Sequence, residues 1–468
     1  MIEPLRIPGL TEDENVTLNV LVEQLVQKSR RNLLRSSYYD GKRAVNQIGT
    51  VIPPQYANLG IALGWAAKGV DGLARRCNLE KMIWAEGDIE SLGMSQLIDD
   101  NFLLSEMSQG ETDSLLHGVS YLITTKGDDS AGEPAALIHA RGALNATGEW
   151  NVRRRHLDNL LSVTSRKDNA ITGFVLYLDN LTITADKTND KWSVDHSDHP
   201  WGVPADPMVH TPRSSRRMGK SRITRPLMGY QDSALRALVR LEAHMDIYTI
   251  PKLILLGADE TIFKNADGSM KAAWQVALGR AFGIPDDDDA AVPRADVKQF
   301  SAESPEPHLA QLNALAKLTA RETDLPDSDF ALTDMANPTS AEAYAASREN
   351  LIAEAEGSME DWSPSIRRSV NRALAIQNGL DTIPTEWSGI DTKWRSPIYL
   401  SKAAAADAGM KQISAMPWLA ESEVGLELLG LDAQQIKQAM ADKRRASGRA
   451  VLAALAPAAA PVTDAVSA

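Results

Sequence analysis

One short sequence in the middle of the chain has the residue types of a phosphate site. Gly219-Lys220-Ser221 matches the end of a phosphate-binding loop, in which backbone N–H groups surround the phosphates and the lysine contacts them. That loop needs an earlier glycine at position 214, where this chain has Ser214. No strand-like sequence leads into the motif. The sequence therefore argues against a nucleotide site here.

Two other groups have the residue types of metal ligands. The first consists of Asp195, His196, Asp198 and His199. The second is the acidic run Asp286, Asp287, Asp288 and Asp289. The first group has loop-like spacing with no further ligand at a diagnostic distance, and the second lacks the alternation and the glycine of a calcium loop. We expect a solvated loop and an exposed acidic turn rather than metal sites.

The chain has no recognisable catalytic arrangement either. Gly118-Val119-Ser120 begins like the Gly-x-Ser-x-Gly elbow of serine hydrolases, but the second glycine is missing. His117 beside it fits an ordinary buried or capping histidine, and the eight histidines are scattered. We expect a protein that is not an enzyme and that uses no cofactor.

A basic cluster remains as a candidate contact site. It consists of Arg213, Arg216, Arg217, Lys220, Arg222 and Arg225. Such a cluster could bind the phosphates of a nucleic acid. It could equally be a solvated surface, or a patch that meets acidic residues of another subunit. The sequence leaves these alternatives open.

The elements that must position these residues form an α+β, mainly helical pattern. Thr11-x-x-Glu14 is a capping box and predicts a helix to about Leu34. Further helices are predicted at 55–76, 94–118, 231–250, 309–323 and 403–445, and strands at 119–125, 135–140, 160–164, 171–178 and 191–195. Residues 174–184 also predict a hairpin about Asp179-Asn180. Asn337-Pro338 begins a long helical tract to about residue 378, which Ser363-Pro364 would kink or restart.

One helix has the spacing of a helix-packing seam. The seam consists of Ala234, Leu238, Leu241, Met245 and Tyr248. Their alternating spacing of four and three residues is typical of helices that pack side by side. We therefore expect this helix to lie against a second one.

Composition limits the class of protein. The hydrophobic share of 43% indicates a folded protein. The net charge of −13 differs from that of a typical protein that binds phosphates through basic residues. Cys77 is the single cysteine, so no intrachain disulfide can form. The N-terminal sequence does not resemble a signal peptide, and no apolar run is long enough to span a membrane. We expect folding in a reducing cytosol, with a disordered Ala/Pro tail at 453–468.

Several stretches, in order, resemble the bacteriophage portal family of long-tailed phages, also called head-to-tail connectors. They are Trp201-Gly202-Val203-Pro204 with Gly219-Lys220-Ser221-Arg222-Ile223, the helix 231–250 running into Pro251-Lys252-Leu253, Phe300-Ser301-Ala302-Glu303-Ser304-Pro305, and Glu322-Thr323-Asp324-Leu325-Pro326-Asp327-Ser328-Asp329-Phe330 with Asn337-Pro338. The resemblance covers about residues 10–445. None of these motifs is catalytic.

The resemblance implies a ring-forming subunit with a fixed order of parts. These would be a wing (1–228), a first stem helix (229–250), a clip (251–307), a second stem helix (308–324), a tunnel loop (325–338), a spine helix (339–378), a wing return and crown (379–452), and the tail (453–468).

It also implies a function in the virion, after assembly in the host cytoplasm. The ring, normally of twelve copies, would conduct double-stranded DNA at one capsid vertex and contact the terminase large subunit, a head-tail adaptor, and the major capsid and scaffold proteins, but no membrane. Asp324, Asp327, Ser328 and Asp329 would face the DNA, and Asp286 to Asp289 would serve docking at the clip. The alternatives are another virion structural or adaptor protein, or a nucleic-acid-processing enzyme.

Overall fold

The computed structural model describes residues 4–42, 60–168, 170–248, 252–256, 265, 268–269, 281–284, 296–300, 304–330, 348–398 and 402–455. The chain divides into two units, Met1–Pro397 and Ile398–Ala468. Among the described residues, no helix combines the length and the apolar character needed to cross a bilayer.

Seven helices are described in the first unit. They are α1 (Glu12–Tyr39), α2 (Trp65–Ala74), α3 (Met94–Asn101), α4 (Leu103–His117), α5 (Arg225–Tyr248), α6 (Glu306–Thr323) and α7 (Glu349–Gln377). The capping box is confirmed, because Thr11 Oγ1 accepts from the Glu14 N–H at 3.3 Å and Glu14 Oε2 accepts from the Thr11 N–H at 2.8 Å. α1 runs beyond the predicted end at Leu34, as far as Tyr39.

Two of the predicted helices differ from the structure. The tract 94–118 is two helices, because Phe102 takes a left-handed conformation with φ 47° and separates α3 from α4. The described part of the tract 55–76 is helical only from Trp65 to Ala74. A single left-handed residue redirects the chain without a glycine or proline, so the apolar spacing could not reveal the break.

The strands of the described part form four small sheets. They are β1 (Leu79–Trp84), β2 (Val119–Lys126), β3 (Ala136–Gly142), β4 (Ala146–Asn151), β5 (His156–Lys167), β6 (Ala170–Leu178), β7 (Leu181–Thr188), β8 (Lys191–Asp198), β9 (Ala205–Val209), β10 (Lys252–Leu256), β11 (Ala281–Ile284), β12 (Asp296–Phe300) and β13 (Ile390–Trp394). The orders are β4-β5-β6-β7-β8, β3-β2-β9, β11-β10-β12 and β1-β13. The predicted hairpin about Asp179-Asn180 joins β6 to β7, with Asn180 at φ 63°.

The sheets and helices share three apolar cores. α1 buries Leu18, Leu21 and Leu25 against β5, β6 and β7, as its spacing predicts. The largest core gathers around α7, whose Trp362 is fully buried. α7 therefore runs through the first unit as its central element.

α7 is one continuous helix although it contains Pro364. Proline removes one backbone donor, so the carbonyl of the residue four positions earlier loses its partner. Ser363 beside it donates to the Met359 carbonyl at 2.6 Å and accepts from Thr392 and Trp394 of β13. These contacts with β13 support the helix where its own bonding is weakest.

The second unit contains three helices in its described part. They are α8 (Lys402–Ala415), α9 (Glu423–Leu428) and α10 (Ala433–Leu455). Gly430, with φ 83°, lies in the turn before α10, and Gly425 lies inside α9. α10 extends into the tail predicted from residue 453, and residues 456–468 lie outside the described part.

Candidate functional site

Two helices of the first unit, α5 and α6, pack against each other in opposite directions. The ring of His244 near the end of α5 lies 5.2 Å from that of His308 near the start of α6. At the other end, the Thr224 hydroxyl just before α5 donates to Glu322 near the end of α6. The three-stranded sheet of β10, β11 and β12 lies between the two helices in the sequence. The expectation that α5 lies against a second helix is confirmed.

The packed face of α5 differs from the predicted seam. Ala234 is fully buried, but Leu238 and Leu241 are only half-buried and Met245 is 44% exposed. The other buried apolar residues on this helix are Leu227, Leu235, Ala237, Val239 and Ala243. Small alanine side chains let neighbouring elements come close to α5. The buried face of α5 is therefore wider than the predicted seam, which has two apolar positions in every seven residues. α5 also begins at Arg225, before the predicted start.

A buried polar junction holds the base of this helix pair. The Arg222 guanidinium, just before α5, pairs with the Glu354 carboxylate of α7. It also donates to the Gly69 carbonyl of α2 at 2.6 Å and to the Thr323 carbonyl at the end of α6. One side chain thus ties four helical segments together.

Arg222 therefore corrects the predicted basic cluster. Its side chain is 5% exposed, so it cannot belong to a surface patch. Charged side chains are buried where they are paired and hydrogen-bonded. The other five members, Arg213, Arg216, Arg217, Lys220 and Arg225, are exposed.

His210 extends the junction. Its ring lies 3.3 Å from the Ser358 hydroxyl and 3.7 Å from Glu354. Burial, with the nearby cations Arg222 and Lys220, lowers the pKa of His210 to about 3. The imidazole is therefore neutral, and Glu354 serves Arg222 as its counter-ion.

The Gly219-Lys220-Ser221 sequence is docked against this junction and is not an open loop. The Gly219 N–H donates to the Arg216 carbonyl at 3.2 Å, and the Lys220 N–H donates to the His210 carbonyl at 2.9 Å. The Ser221 hydroxyl donates to the Leu116 carbonyl at 2.6 Å. Donors that are used inside the protein cannot surround a phosphate, which agrees with the missing first glycine.

The acidic turn after α6 is fixed by two apolar residues. Asp324 ends the helix in a left-handed conformation at φ 50°. Leu325 is buried with its side chain close to Gly72, and Phe330 packs edge-on against Trp65 at 6.1 Å. Asp327 and Ser328 between them are exposed, Asp329 is half-exposed, and the three form a short 3-10 turn.

A second group of ion pairs, around the buried carboxylate of Asp206, joins β9 to α7. Asp206 accepts from Arg368 at 2.6 Å and from Arg372 at 2.9 Å. Neither Asp206 nor Glu354 was predicted from the sequence. The available signal was on α7, where Glu354, Ser358, Ser365, Ser369 and Arg372 recur along the buried face at helical spacing.

The remaining predicted groups do not form a site in the described part of the chain. His199 is bonded to Thr182 at 3.0 Å, and His196 lies 3.6 Å from Glu14, so the two histidines have separate partners. The described residues contain no cluster of three or more potential metal ligands. The acidic run Asp286 to Asp289 lies outside the described residues.

The family of the chain follows from a family model that matches residues 20–448, described as phage portal protein, SPP1 Gp6-like. The chain is a member of this phage portal family. The portal protein of Mycobacterium phage D29 is 27% identical over 417 residues, which cover 87% of this chain and 83% of the relative. That of Mycobacterium phage L5 is 25% identical over 415 residues, which cover 86% and 84%.

Two solved structures are also similar to this portal family member. One is described as the neck of a native GTA particle computed with C12 symmetry, with 14% identity, a TM-score of 0.40, and 86% and 98% of the two chains covered. The other is described as the neck of an empty GTA particle computed with C6 symmetry, with 15% identity, a TM-score of 0.40, and 79% and 90% covered.

Proposed function

We propose that the chain is the portal subunit of a phage virion, and that copies of it form a ring whose channel conducts double-stranded DNA. The observation that carries this proposal is the match of residues 20–448 to the phage portal model. Head-to-tail contacts between identical subunits close into a ring when the rotation permits. The family resemblance favours twelve copies.

The helix pair supports the proposed layout. In this layout α5 and α6 are the stem, the β10-β11-β12 sheet belongs to the clip, and α7 is the spine. α5 begins four residues and α6 two residues before the boundaries that the resemblance implies for the stem helices. The junction of Arg222 with Glu354 would then fix the stem to the spine. The wing would contain α1 to α4 and the β4-β8 sheet, and α8 to α10 would belong to the crown.

The proposed DNA passage follows from charge and exposure. Asp324, Asp327 and Ser328 are exposed on a turn whose apolar flanks anchor it. A polyanion gains affinity by releasing counter-ions to basic side chains, and acidic side chains offer no such gain. An acidic wall would therefore let DNA slide without holding it at one register.

The proposed partners are those of the family. Terminase and then a head-tail adaptor would dock at the clip, with Asp286 to Asp289 as contacts, and the major capsid and scaffold proteins would surround the wing. Assembly would take place in the host cytoplasm, before the ring enters the virion. The chain itself would not turn over ATP.

Negative-stain microscopy of the purified protein tests this function. We expect rings with an axial channel and a subunit count of about twelve, which mass photometry would measure independently. A monomer at all concentrations, or saturable ATP turnover by the pure protein, would overturn the proposal.

A further inference from the structure

A groove of about 670 Å³ on the first unit gathers cationic side chains from two segments. They are Arg30, Arg31 and Arg35 of α1, and Arg216, Lys220 and Arg225 from the segment leading into α5. We refer to these residues as the basic groove. Leu34, Ile223 and Met228 lie between the cations. The groove is therefore both charged and partly apolar.

The cations of the basic groove have no counter-ions in the described part of the chain. Among its described lining residues Glu322 alone is acidic, and it accepts a hydrogen bond from Thr224. No ion pair joins any of the six to a described carboxylate. Burial, with the neighbouring Arg31 and Arg216, lowers the pKa of Arg35 to about 10. Neighbouring like charges disfavour the charged forms, and an anionic group placed against them would relieve this repulsion.

The two segments that form the basic groove lack acidic residues. Residues 24–39 and 207–231 contain neither Asp nor Glu. The opposite holds for residues 82–125, which contain eight Asp and Glu residues and neither Lys nor Arg. The charges are thus segregated along the chain rather than mixed.

The acidic stretch provides a complementary surface. Its exposed carboxylates are Glu86, Asp88, Glu90, Asp99 and Asp100, on the β1–α3 connection and on α3. We refer to these five as the acidic surface. The basic groove and the acidic surface lie on different elements of the first unit. A head-to-tail contact joins two different patches of neighbouring copies.

We propose that the basic groove is a contact between neighbouring subunits of the ring, and that it binds the acidic surface of the next copy. This inference rests on the proposed function, because only a ring places every groove against a second copy. Leu34 and Met228, which are not buried in the subunit, favour a protein partner over nucleic acid, since a protein surface would cover apolar side chains that phosphates leave in water. Complementary charge would also set which faces meet.

A charge-swap experiment tests the proposal. The groove variant Arg31→Glu/Arg216→Glu and the surface variant Glu90→Lys/Asp99→Lys should each raise the concentration for half-maximal ring formation by about tenfold or more, as measured by mass photometry. The four substitutions in one chain should restore ring formation towards the wild-type concentration. Arg217→Glu is the matched control, because this exposed neighbour of Arg216 does not line the groove.

The outcomes distinguish a failure of the proposed contact from a failure of the proposed function. Circular dichroism melting must show that both double variants are folded. Ring formation by the groove variant at the wild-type concentration would overturn the inference, as would a folded four-substitution chain that stays unassembled. Normal rings that lose binding to a short DNA duplex would make the groove a nucleic-acid site instead. If the wild-type chain forms no ring, the proposed function itself fails.

Discussion

The guanidinium of Arg222 and the carboxylate of Glu354 form an ion pair at the point where α2, α5, α6 and α7 meet. The arginine side chain is nearly inaccessible, and the glutamate side chain is about one quarter exposed. The pair connects the start of the α5–α6 helix pair to the central helix of the unit.

Loss of Arg222 should therefore destabilise the fold. Arg222→Ala leaves Glu354 without its counter-ion and removes a hydrogen-bond donor from two backbone carbonyls, so we expect the free energy of unfolding to fall by about 3 kcal/mol or more. Urea unfolding followed by tryptophan fluorescence measures it. Arg217→Ala, at an exposed position, should stay within about 0.5 kcal/mol of wild type. Equal effects of the two substitutions would contradict the assigned role.

Two buried histidines should make the fold sensitive to acid. Burial, then nearby cations, lowers the pKa of His117 to about 4 and that of His210 to about 3. In the unfolded chain both titrate near pH 6.5, so below that pH the unfolded state binds protons that the folded state does not. Each of these two histidines should then lower the free energy of unfolding by about 1.4 kcal/mol per pH unit as the pH falls from 6.5 towards 4.

The pH dependence can be assigned with single substitutions. His210→Gln should flatten the loss of stability between pH 6.5 and 4 in urea unfolding, because it removes one of the protons taken up on unfolding. His156→Gln, at a partly exposed position, is the control. An unchanged slope in the His210 variant would show that another group is responsible.

Gly219 should tolerate no side chain. Its φ is 65°, and a Cβ atom would lie 2.4 Å from the carbonyl oxygens of Gly118 and His210. We expect Gly219→Ala to cost about 2 kcal/mol or more in the free energy of unfolding. Gly229→Ala in α5, where a Cβ meets open space, should instead stabilise by up to about 1 kcal/mol. A harmless Gly219→Ala would mean that this segment is not docked as described.

The acidic turn should matter for DNA and not for assembly. Asp327→Lys/Asp329→Lys introduces cations that would hold phosphates, so we expect normal rings but impaired packaging or retention of DNA. Packaging assays with the variant in phage particles measure this. Asp381→Lys/Glu386→Lys, at exposed positions of another segment, is the matched control. Normal packaging by the Asp327/Asp329 variant would contradict their placement along the passage.

Local signals in the sequence were enough for much of the fold. The capping box at Thr11 and the apolar spacing behind it predict α1, and β-branched and apolar residues on either side of Asp179-Asn180 predict β6 and β7. Strand β9 was missed because it lies in a proline-rich stretch and contains Pro207. β9 pairs with β2 alone and therefore lies at the edge of its sheet, where a strand can accommodate proline.

The buried junction could not be predicted in the same way. Arg222 looks like its exposed neighbours in the sequence, and only partners distant along the chain, Glu354 above all, make its burial favourable. The acidic turn was predicted from the family resemblance, but its anchoring by Leu325 and Phe330 depends on Gly72 and Trp65. Contacts between residues that are distant in the sequence determine the burial of Arg222 and the anchoring of the acidic turn. The spacing of residues along the chain does not predict such contacts.

Pro364 also has a mechanical consequence for the central helix. A helix bends most easily where one of its hydrogen bonds is missing, and here Ser363 connects that point to Thr392 and Trp394 of the β1–β13 pair. Force applied along α7 would therefore be shared with the short sheet at mid-length. The two halves of α7 would then move separately under such a force. A force applied to one end of the helix would be reduced before it reached the other end.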